Sequence, residues 1–444
     1  MSARLTFRES ASTEQKVDRQ GTRRERALTA SERPFRMNIL VLTFEIPATN
    51  NMAGSPRLFT LCRSLSRQHR LTLMTLSESL DRYQTFRDDP TAAGVFERII
   101  VLPDPPAPNW WGTQVHRLRQ EAHFATRYRN ARYHAEQCRS VHDVFLDGGF
   151  DVLYVDGLPM AQYVVDTKLE RPAIIDLHDC LTLLYDRRMR IERSWRRKVG
   201  LFLDTRSMAR CERSLSRLFS TVITNSPVDE EYLKVLAPAA NTLTIGNGVD
   251  TAFFSPADTE GDLRQLIFTG VMDYSPNEDA AIHFAEKIFP LIQQRQPEAQ
   301  FWVVGKDPTE RVRRLSEQPG VHVTGGVPDV RPYLEKAGIF VCPLRFGSGV
   351  KNKLLAALAM QKPVVTTRRS LDGLDLRENE DLLVADEPAD FAAKVLQLIE
   401  HPGQGRRLAS TGRAFVRDRY SWESSASAVE DVLWGAVRHE RAGR

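Results

Sequence analysis

Two doubly wound α/β domains in tandem, with a cleft between them, are the fold the sequence predicts. Three observations lead there. Short apolar runs rich in β-branched residues recur at the spacing of parallel strands. Segments with helical periodicity lie between them. The alternation pauses once, near residue 250, and then restarts. A chain of 444 residues is too long for one ordinary domain and comfortable for two.

The first half opens with the apolar run Asn38–Thr43, which reads as a buried parallel strand. A polar loop with Gly54 and Pro56 follows, from Glu45 to Pro56. Leu58, Leu61 and Leu65 then repeat at helical spacing, and Leu71–Thr75 is the next strand. Strand, loop, helix, strand is the opening βαβ unit of a doubly wound sheet. Further strands are expected at Arg98–Leu102, Asp151–Val155, Ala173–Asp176 and Thr221–Thr224, with a helical stretch from about Gln114 to Leu146.

Leu243–Pro256 has no period and contains Gly246, Gly248 and Pro256, so it reads as the linker. Beyond it, Leu266–Thr269 is a strand. Asp279–Gln294 is an amphipathic helix with Ala281, Phe284, Ile288 and Leu291 on one face. Strands are expected at Gln300–Val304, Val321–Thr324, Ile339–Leu344 and Pro363–Thr367. Helices are expected at Asp329–Lys336, Val350–Met360, Phe391–Glu400, Arg406–Asp418 and after Ser421. The boundaries that follow are a disordered tail at 1–36, a first domain at 37–240, a linker at 241–261, a second domain at 262–420, and a closing helix at 421–444 that crosses back toward the first domain. Ligands in such folds bind at the C-terminal ends of the strands, which here face the cleft.

Composition narrows the function classes. Apolar residues are 42% and charged residues 27%, ordinary for a soluble globular chain. No apolar run is long enough to span a bilayer, and residues 1–36 carry no signal-peptide core; a cytoplasmic location is expected. Cys62, Cys138, Cys180, Cys211 and Cys342 are scattered and form no Cys-x-x-Cys pair, which argues against a disulfide framework or a zinc site. The net charge of +4 is mild but uneven, because arginines crowd between Arg187 and Arg217 among Met189, Trp195, Val199, Leu201 and Phe202. Such a segment suits an anionic membrane surface or a phosphorylated acceptor; it also suits a solvated helical face. Nucleic acid is not an expected partner, since no basic stripe with stacking aromatics runs through the rest of the chain.

The most informative stretch runs from Val341 to Val365. A strand ends at Leu344, and a glycine loop, Gly347-Ser348-Gly349, leads into a helix. Small residues let backbone N–H groups approach an anion, and a helix N-terminus adds partial positive charge. Arg345 precedes the loop, and Lys351 and Lys353 lie at the start of the helix, where cations oppose the helix dipole unless an anion joins them. A diphosphate fits that demand; a plain βα turn with surface lysines fits the same residues. Neither the Walker ending nor the dinucleotide fingerprint is present.

The pattern Pro-Leu-Arg-x-Gly-x-Gly-x-x-x-Lys from Pro343 to Lys353, then a helix of small and aliphatic residues, then Lys362-Pro-Val-Val-Thr-Thr367, resembles the donor-binding half of glycosyltransferase family 4. It is most similar to the branch of sugar transferases associated with exopolysaccharide and PEP-CTERM systems. Asn247 with Gly248-Val-Asp250 and Phe254-Ser-Pro256 resembles the family's linker. Gly270 to Asn277, Leu371 to Asp375 and Arg419 to Glu423 resemble later segments in the family's order.

The resemblance implies a GT-B fold, a nucleotide-sugar donor held by the second domain, retention of anomeric configuration, and no required cofactor or metal. It implies a glycan or lipid-linked acceptor in surface polysaccharide or glycolipid assembly. By position, Gly347, Ser348 and Gly349 would cradle the diphosphate, with Arg345 and Lys353 neutralising it. Gly270 and Asn277 would line the donor side. Gly54, Ser55 and Arg57 would meet donor and acceptor from the first domain. His178 and Asp179 match a His-Asp pair of the domain cleft; His178 would hydrogen-bond a sugar hydroxyl, or serve the loop as a polar residue with a structural partner.

One departure stands out. The family's two donor-site glutamates, seven residues apart, correspond to Ser348 and Ala356, and Val271 occupies a usual arginine position. The second glutamate grips ribose hydroxyls, and a charged hydrogen bond of that kind is worth about 1.5–3 kcal/mol, roughly ten- to a hundredfold in affinity. A second reading is therefore a GT-B protein weakened in catalysis, with a binding or scaffolding role.

Overall fold

The computed structural model describes residues 35–47, 57–75, 80–102, 135–164, 169–192, 194–256, 260–347 and 349–443. Residues 1–34 of the expected tail, Gly54 and Ser55, most of the expected helix from Gln114, and Ser348 lie outside them.

Thirteen strands form two sheets among the described residues. The first comprises β1 (Asn38–Thr43), β2 (Arg70–Thr75), β3 (Arg98–Val101), β4 (Val152–Asp156), β5 (Ala173–Asp176), β6 (Thr221–Thr224) and β7 (Thr242–Thr244), in the order β3-β2-β1-β4-β5-β6-β7. The second comprises β8 (Asp262–Thr269), β9 (Gln300–Val304), β10 (Val321–Gly325), β11 (Ala337–Cys342), β12 (Val364–Thr366) and β13 (Leu383–Val384), in the order β10-β9-β8-β11-β12-β13. The pairings are parallel throughout. Each sheet reverses its winding at its first strand, between β1 and β4 and between β8 and β11, and the crevice at such a reversal is where ligands bind.

The apolar runs become strands because helices cover both sheet faces: β1 is buried from Ile39 to Thr43 and β11 along its whole length. Each half has its own apolar core; the second centres on the rings of Phe284, Phe289, Phe301 and Phe391.

The structure adds helices Leu80–Asp88 and Pro227–Leu236 and strand β13 to the expected elements, and it differs in other places too. Thr242–Thr244, read as linker, pairs with β6 as a seventh strand, since its backbone completes the sheet edge although only three residues long. The helix expected at Asp279 starts at Ser275 and runs to Gln293 through a π-helical turn at Phe284–Ile288. Pro290, which has no N–H to give, sits just beyond that turn. The arginine-rich segment folds as two helices, Leu181–Ile191 and Trp195–Ser214.

The closing helix Trp422–Gly443 packs on the first half, against helix Arg57–Leu65. Buried His69 anchors it, with Nε2 3.0 Å from Glu430 Oε1. The two crossings between the halves run side by side: Val249 N donates to Tyr420 O at 3.0 Å and Ser425 Oγ to Gly246 O at 2.8 Å.

Candidate active site

A cavity of about 960 Å³ lies where the C-terminal ends of both sheets meet. The first half contributes His178, Asp179 and Asn225, the linker contributes Asn247 to Asp250, and the second half contributes Gly270, Asn277, Gly347, Lys351, Asn352, Lys353 and Ala356.

His178 follows β5 in a sharp turn. Its φ is +64°, a left-handed conformation uncommon for a residue with a side chain. Asp176 helps to hold it there, because its Oδ1 accepts from His178 N at 3.3 Å. The imidazole Nε2 lies 2.7 Å from Asp156 Oδ1 at the end of β4, and Asp156 Oδ2 accepts from Thr43 Oγ1 at 3.0 Å. Burial pulls the imidazole's pKa down, but the charge and hydrogen bond of Asp156, with help from Asp176, raise it to about 9. His178 is therefore a cation at neutral pH, with about a quarter of its side chain exposed.

Arg57 is fully buried and does not line the cavity, so the expected meeting with substrate is not what the structure gives it. Its Nε grips Asp176 Oδ2 at 2.7 Å and an Nη donates to Asn247 Oδ1 at 2.9 Å. Tyr154 Oη donates to the same Asp176 oxygen at 2.6 Å. Asn247 Nδ2 then donates to Asn352 Oδ1 at 2.9 Å. This chain of contacts runs from the core of the first half to the opening residue of helix Asn352–Ala359.

The glycine loop is pinned from the first half. Asp229, buried in helix Pro227–Leu236, accepts from Gly349 N at 2.9 Å through Oδ2 and from Cys180 N at 3.0 Å through Oδ1. Asn225 Oδ1 accepts from Val350 N at 3.3 Å. Arg187 reaches the carbonyl of Gly347 and pairs with Asp372 at 2.8 Å. Gly349 has φ +68°, and a Cβ there would stand 1.8 Å from Asp179 Oδ1, so only glycine fits. The amides expected to cradle a diphosphate at Gly349 are thus taken by a first-half carboxylate. The amides of Asn352 and Lys353, in the first turn of their helix, have no intrahelical acceptor.

Lys351 is buried among Asp179, Asp229 and Asp372, and its ammonium donates to Gly349 O. Burial lowers its pKa, and the three carboxylates oppose that. Lys353 differs. Its Nζ donates to Asn277 Oδ1 at 2.6 Å and sits 4.2 Å from the centre of the Phe268 ring. Among the described residues no carboxylate pairs with it, and burial pushes its pKa down to about 8. Asn277 is fixed in turn by its Nδ2 donating to Val271 O at 2.8 Å. A Cβ on Gly270 would lie 2.7 Å from both Lys353 Nζ and Asn277 Nδ2, so glycine there makes room for this pair.

Arg345 corrects a second expectation. Its guanidinium forks onto Asp279, with Nε 2.9 Å from Oδ2, and it does not line the cavity. Arg345 lies in the loop beyond β11, and its side chain meets helix Ser275–His283 at Asp279. Ala356 does line the cavity, half-buried on the face of its helix. Asp156, Asn225, Asp229 and Asn352 were not singled out from sequence. Ser226 with Asp229 has the spacing of a helix cap, and Ser226 Oγ does accept from Asp229 N at 3.1 Å. That signal marks a helix start but not the reach to Gly349.

Solved structures with this architecture cover nearly the whole chain. Sucrose-phosphate synthase from Thermosynechococcus elongatus aligns at TM-score 0.66 and 15% identity, covering 92% of this chain and all of that one. HepE from Anabaena, solved with UDP-glucose, aligns at TM-score 0.61 and 14% identity over 90% of this chain and all of its own. WaaG, described as a glycosyltransferase involved in lipopolysaccharide biosynthesis, aligns at 0.60 and 14%, covering 89% and 99%. The fold is GT-B. Residues 264–401 match the family model described as "Glycosyl transferases group 1". A Klebsiella pneumoniae chain described as an uncharacterized 44.6 kDa protein in the cps region is 19% identical over 172 residues, 37% of this chain. This chain spans 44% of that relative's length. The family match lies within the second half of the chain, on the sheet that carries the glycine loop. No described helix is long and apolar enough to cross a membrane.

Proposed function

We propose that the protein transfers a sugar from a nucleotide-sugar to a glycan or lipid-linked acceptor, with retention at the anomeric carbon and no resident metal or cofactor, at the inner face of a membrane. The observation that carries this reading is Lys353: a half-buried cation on the cavity wall whose hydrogen-bond partner, Asn277, is neutral. A partly desolvated cation with no carboxylate beside it is unfavourable, and a diphosphate beside it relieves that.

In the reaction the bond from C1 of the sugar to the diphosphate oxygen breaks and the electron pair leaves with the nucleotide. C1 bonds to an acceptor hydroxyl oxygen, whose proton departs to the diphosphate. Lys353 and the first-turn amides stabilise the charge that develops on the leaving group. Protonated His178 faces the same cavity and donates to a sugar hydroxyl. The relatives support the substrate class: HepE is solved with UDP-glucose, and WaaG is described as acting in lipopolysaccharide biosynthesis.

The test is a panel of nucleotide-sugars with lipid-linked and soluble acceptors, read as nucleoside diphosphate released and, for the product, as anomeric configuration by NMR. No release and no binding with every donor would overturn the reading. Ala356 favours a second reading, binding without turnover, because its methyl faces the cavity where a carboxylate would grip ribose. Ala356→Glu separates the two. Donor affinity about tenfold or more higher, with turnover rising in step, marks a weakened transferase; tighter binding with turnover still absent marks a binding protein.

A further inference from the structure

Helix Trp195–Ser214 has two faces. Leu201, Met208, Ala209 and Cys211 turn inward and are buried. Outward, Trp195, Val199, Phe202 and Leu203 are 70, 52, 47 and 47% exposed, four of the eight large apolar side chains exposed among the described residues. Their spacing places them within one arc of the helix, continued by Arg206 and Arg210. Arg196 lies over the Trp195 ring at 5.6 Å and Arg206 over Phe202 at 5.6 Å. Arg196, Arg197, Lys198, Arg206, Arg210 and Arg213 are all exposed. The helix's acids are elsewhere: Asp204 faces Tyr185, and Glu212 is buried, accepting from Leu181 N at 2.7 Å.

We propose that this helix docks the protein on an anionic phospholipid surface, with the four apolar side chains entering the headgroup layer and the arginines binding lipid phosphates. An apolar stripe alone would suit a second copy of the chain equally well. The cations decide against that, because a self-complementary contact would bring two arginine clusters together. An anionic surface satisfies both features at once. The helix packs on Leu181–Ile191, whose Arg187 touches the glycine loop. The inference does not depend on the donor chemistry, and it suits an acceptor that sits in the bilayer.

The experiment is sedimentation of the full chain with phosphatidylcholine vesicles and with mixed phosphatidylcholine–phosphatidylglycerol vesicles. Binding to the mixed vesicles only, weakened by salt, is expected. Trp195→Glu/Phe202→Glu and, separately, Arg196→Glu/Arg197→Glu/Lys198→Glu should each lower that binding about tenfold or more. The sites are exposed, and circular dichroism checks that the variants fold. A Trp195→Phe chain should still bind but lose part of the fluorescence blue shift that vesicles induce. Unchanged binding in both charge-altered variants, or no binding by the parent, overturns the proposal. So does a parent dimer that the stripe variants convert to monomer, which would make the stripe a self-interface. Lys353→Ala should sediment like the parent, so loss of the donor site and loss of docking are read independently.

Discussion

Lys351 and Lys353 stand two residues apart at the mouth of one helix, both within the cleft wall, and their charges are answered in opposite ways. Lys351 belongs to the loop side of the mouth, where Asp179, Asp229 and Asp372 surround it and Asp229 and Asn225 hold the loop amides. Lys353 belongs to the strand side, where Asn277 and the Phe268 ring meet it and no described carboxylate does. The first region is a finished joint between the two halves. The second is the place where we propose that the donor's diphosphate sits. A sequence that reads as one basic loop is, in three dimensions, one lysine held among carboxylates and one held by an amide oxygen and a ring.

The comparison breaks first at Lys351. Lys351→Ala leaves Asp179 and Asp229 facing each other without their cation, and removing one member of a buried charge cluster costs about 3–5 kcal/mol. A large drop in melting temperature or urea midpoint is expected. Lys353→Ala should do the reverse. Its folded cation is already disfavoured by burial, so stability changes little, while nucleotide-sugar affinity or turnover falls about a hundred- to a thousandfold. Calorimetry and thermal melts on both variants check the pair. Loss of stability in Lys353→Ala with affinity intact would invert the assignment.

The extent to which this was readable beforehand differs by half and by kind. Apolar runs such as Asn38–Thr43 and Gln300–Val304 became strands because a doubly covered sheet leaves a continuous apolar signature. Thr242–Thr244 left none: three residues on a sheet edge carry too little pattern to see. Lys353, Asn277 and Gly270 were named through the family resemblance, and the structure brings them side by side. Arg345 and Arg57 were not, because a guanidinium goes to whichever carboxylate the fold presents. Asp279 and Asp176 lie 66 residues before Arg345 and 119 residues beyond Arg57 respectively. Asp229 was missed for the same reason: its cap with Ser226 is local, and its bond to Gly349 crosses 120 residues.

A smaller effect separates His178 from Lys353 by pH. Donor binding that needs both cations should hold at neutral pH, weaken as pH rises through about 8, where Lys353 loses its proton, and weaken again through about 9 with His178. Binding at pH 8 should take up protons, visible as a buffer-dependent calorimetric enthalpy. Asp156→Asn removes the main partner that raises His178, so its pKa falls and the second limb moves to lower pH. The sign for folding is parallel. A pKa raised in the folded state contributes stability that is whole below 6.5 and lost as pH rises through about 9, so Asp156→Asn should flatten stability over that window. An unchanged profile would mean that His178 serves the turn and not the substrate.

The smallest effect is at Arg345, which the motif alone would rank beside Lys353. Its guanidinium is 39% exposed and committed to Asp279 outside the cavity. A partly exposed ion pair contributes about 0–1 kcal/mol. Arg345→Ala should therefore change donor affinity and turnover by no more than about threefold and melting temperature by a degree or two. The double variant Arg345→Ala/Asp279→Ala should match it, because nothing then remains unpaired. A loss comparable to that of Lys353→Ala would show that Arg345 leaves Asp279 and swings into the cleft when the donor binds. The strand side of the mouth would then hold its anion with two cations, and the ion pair with Asp279 would be the resting position of a moving side chain.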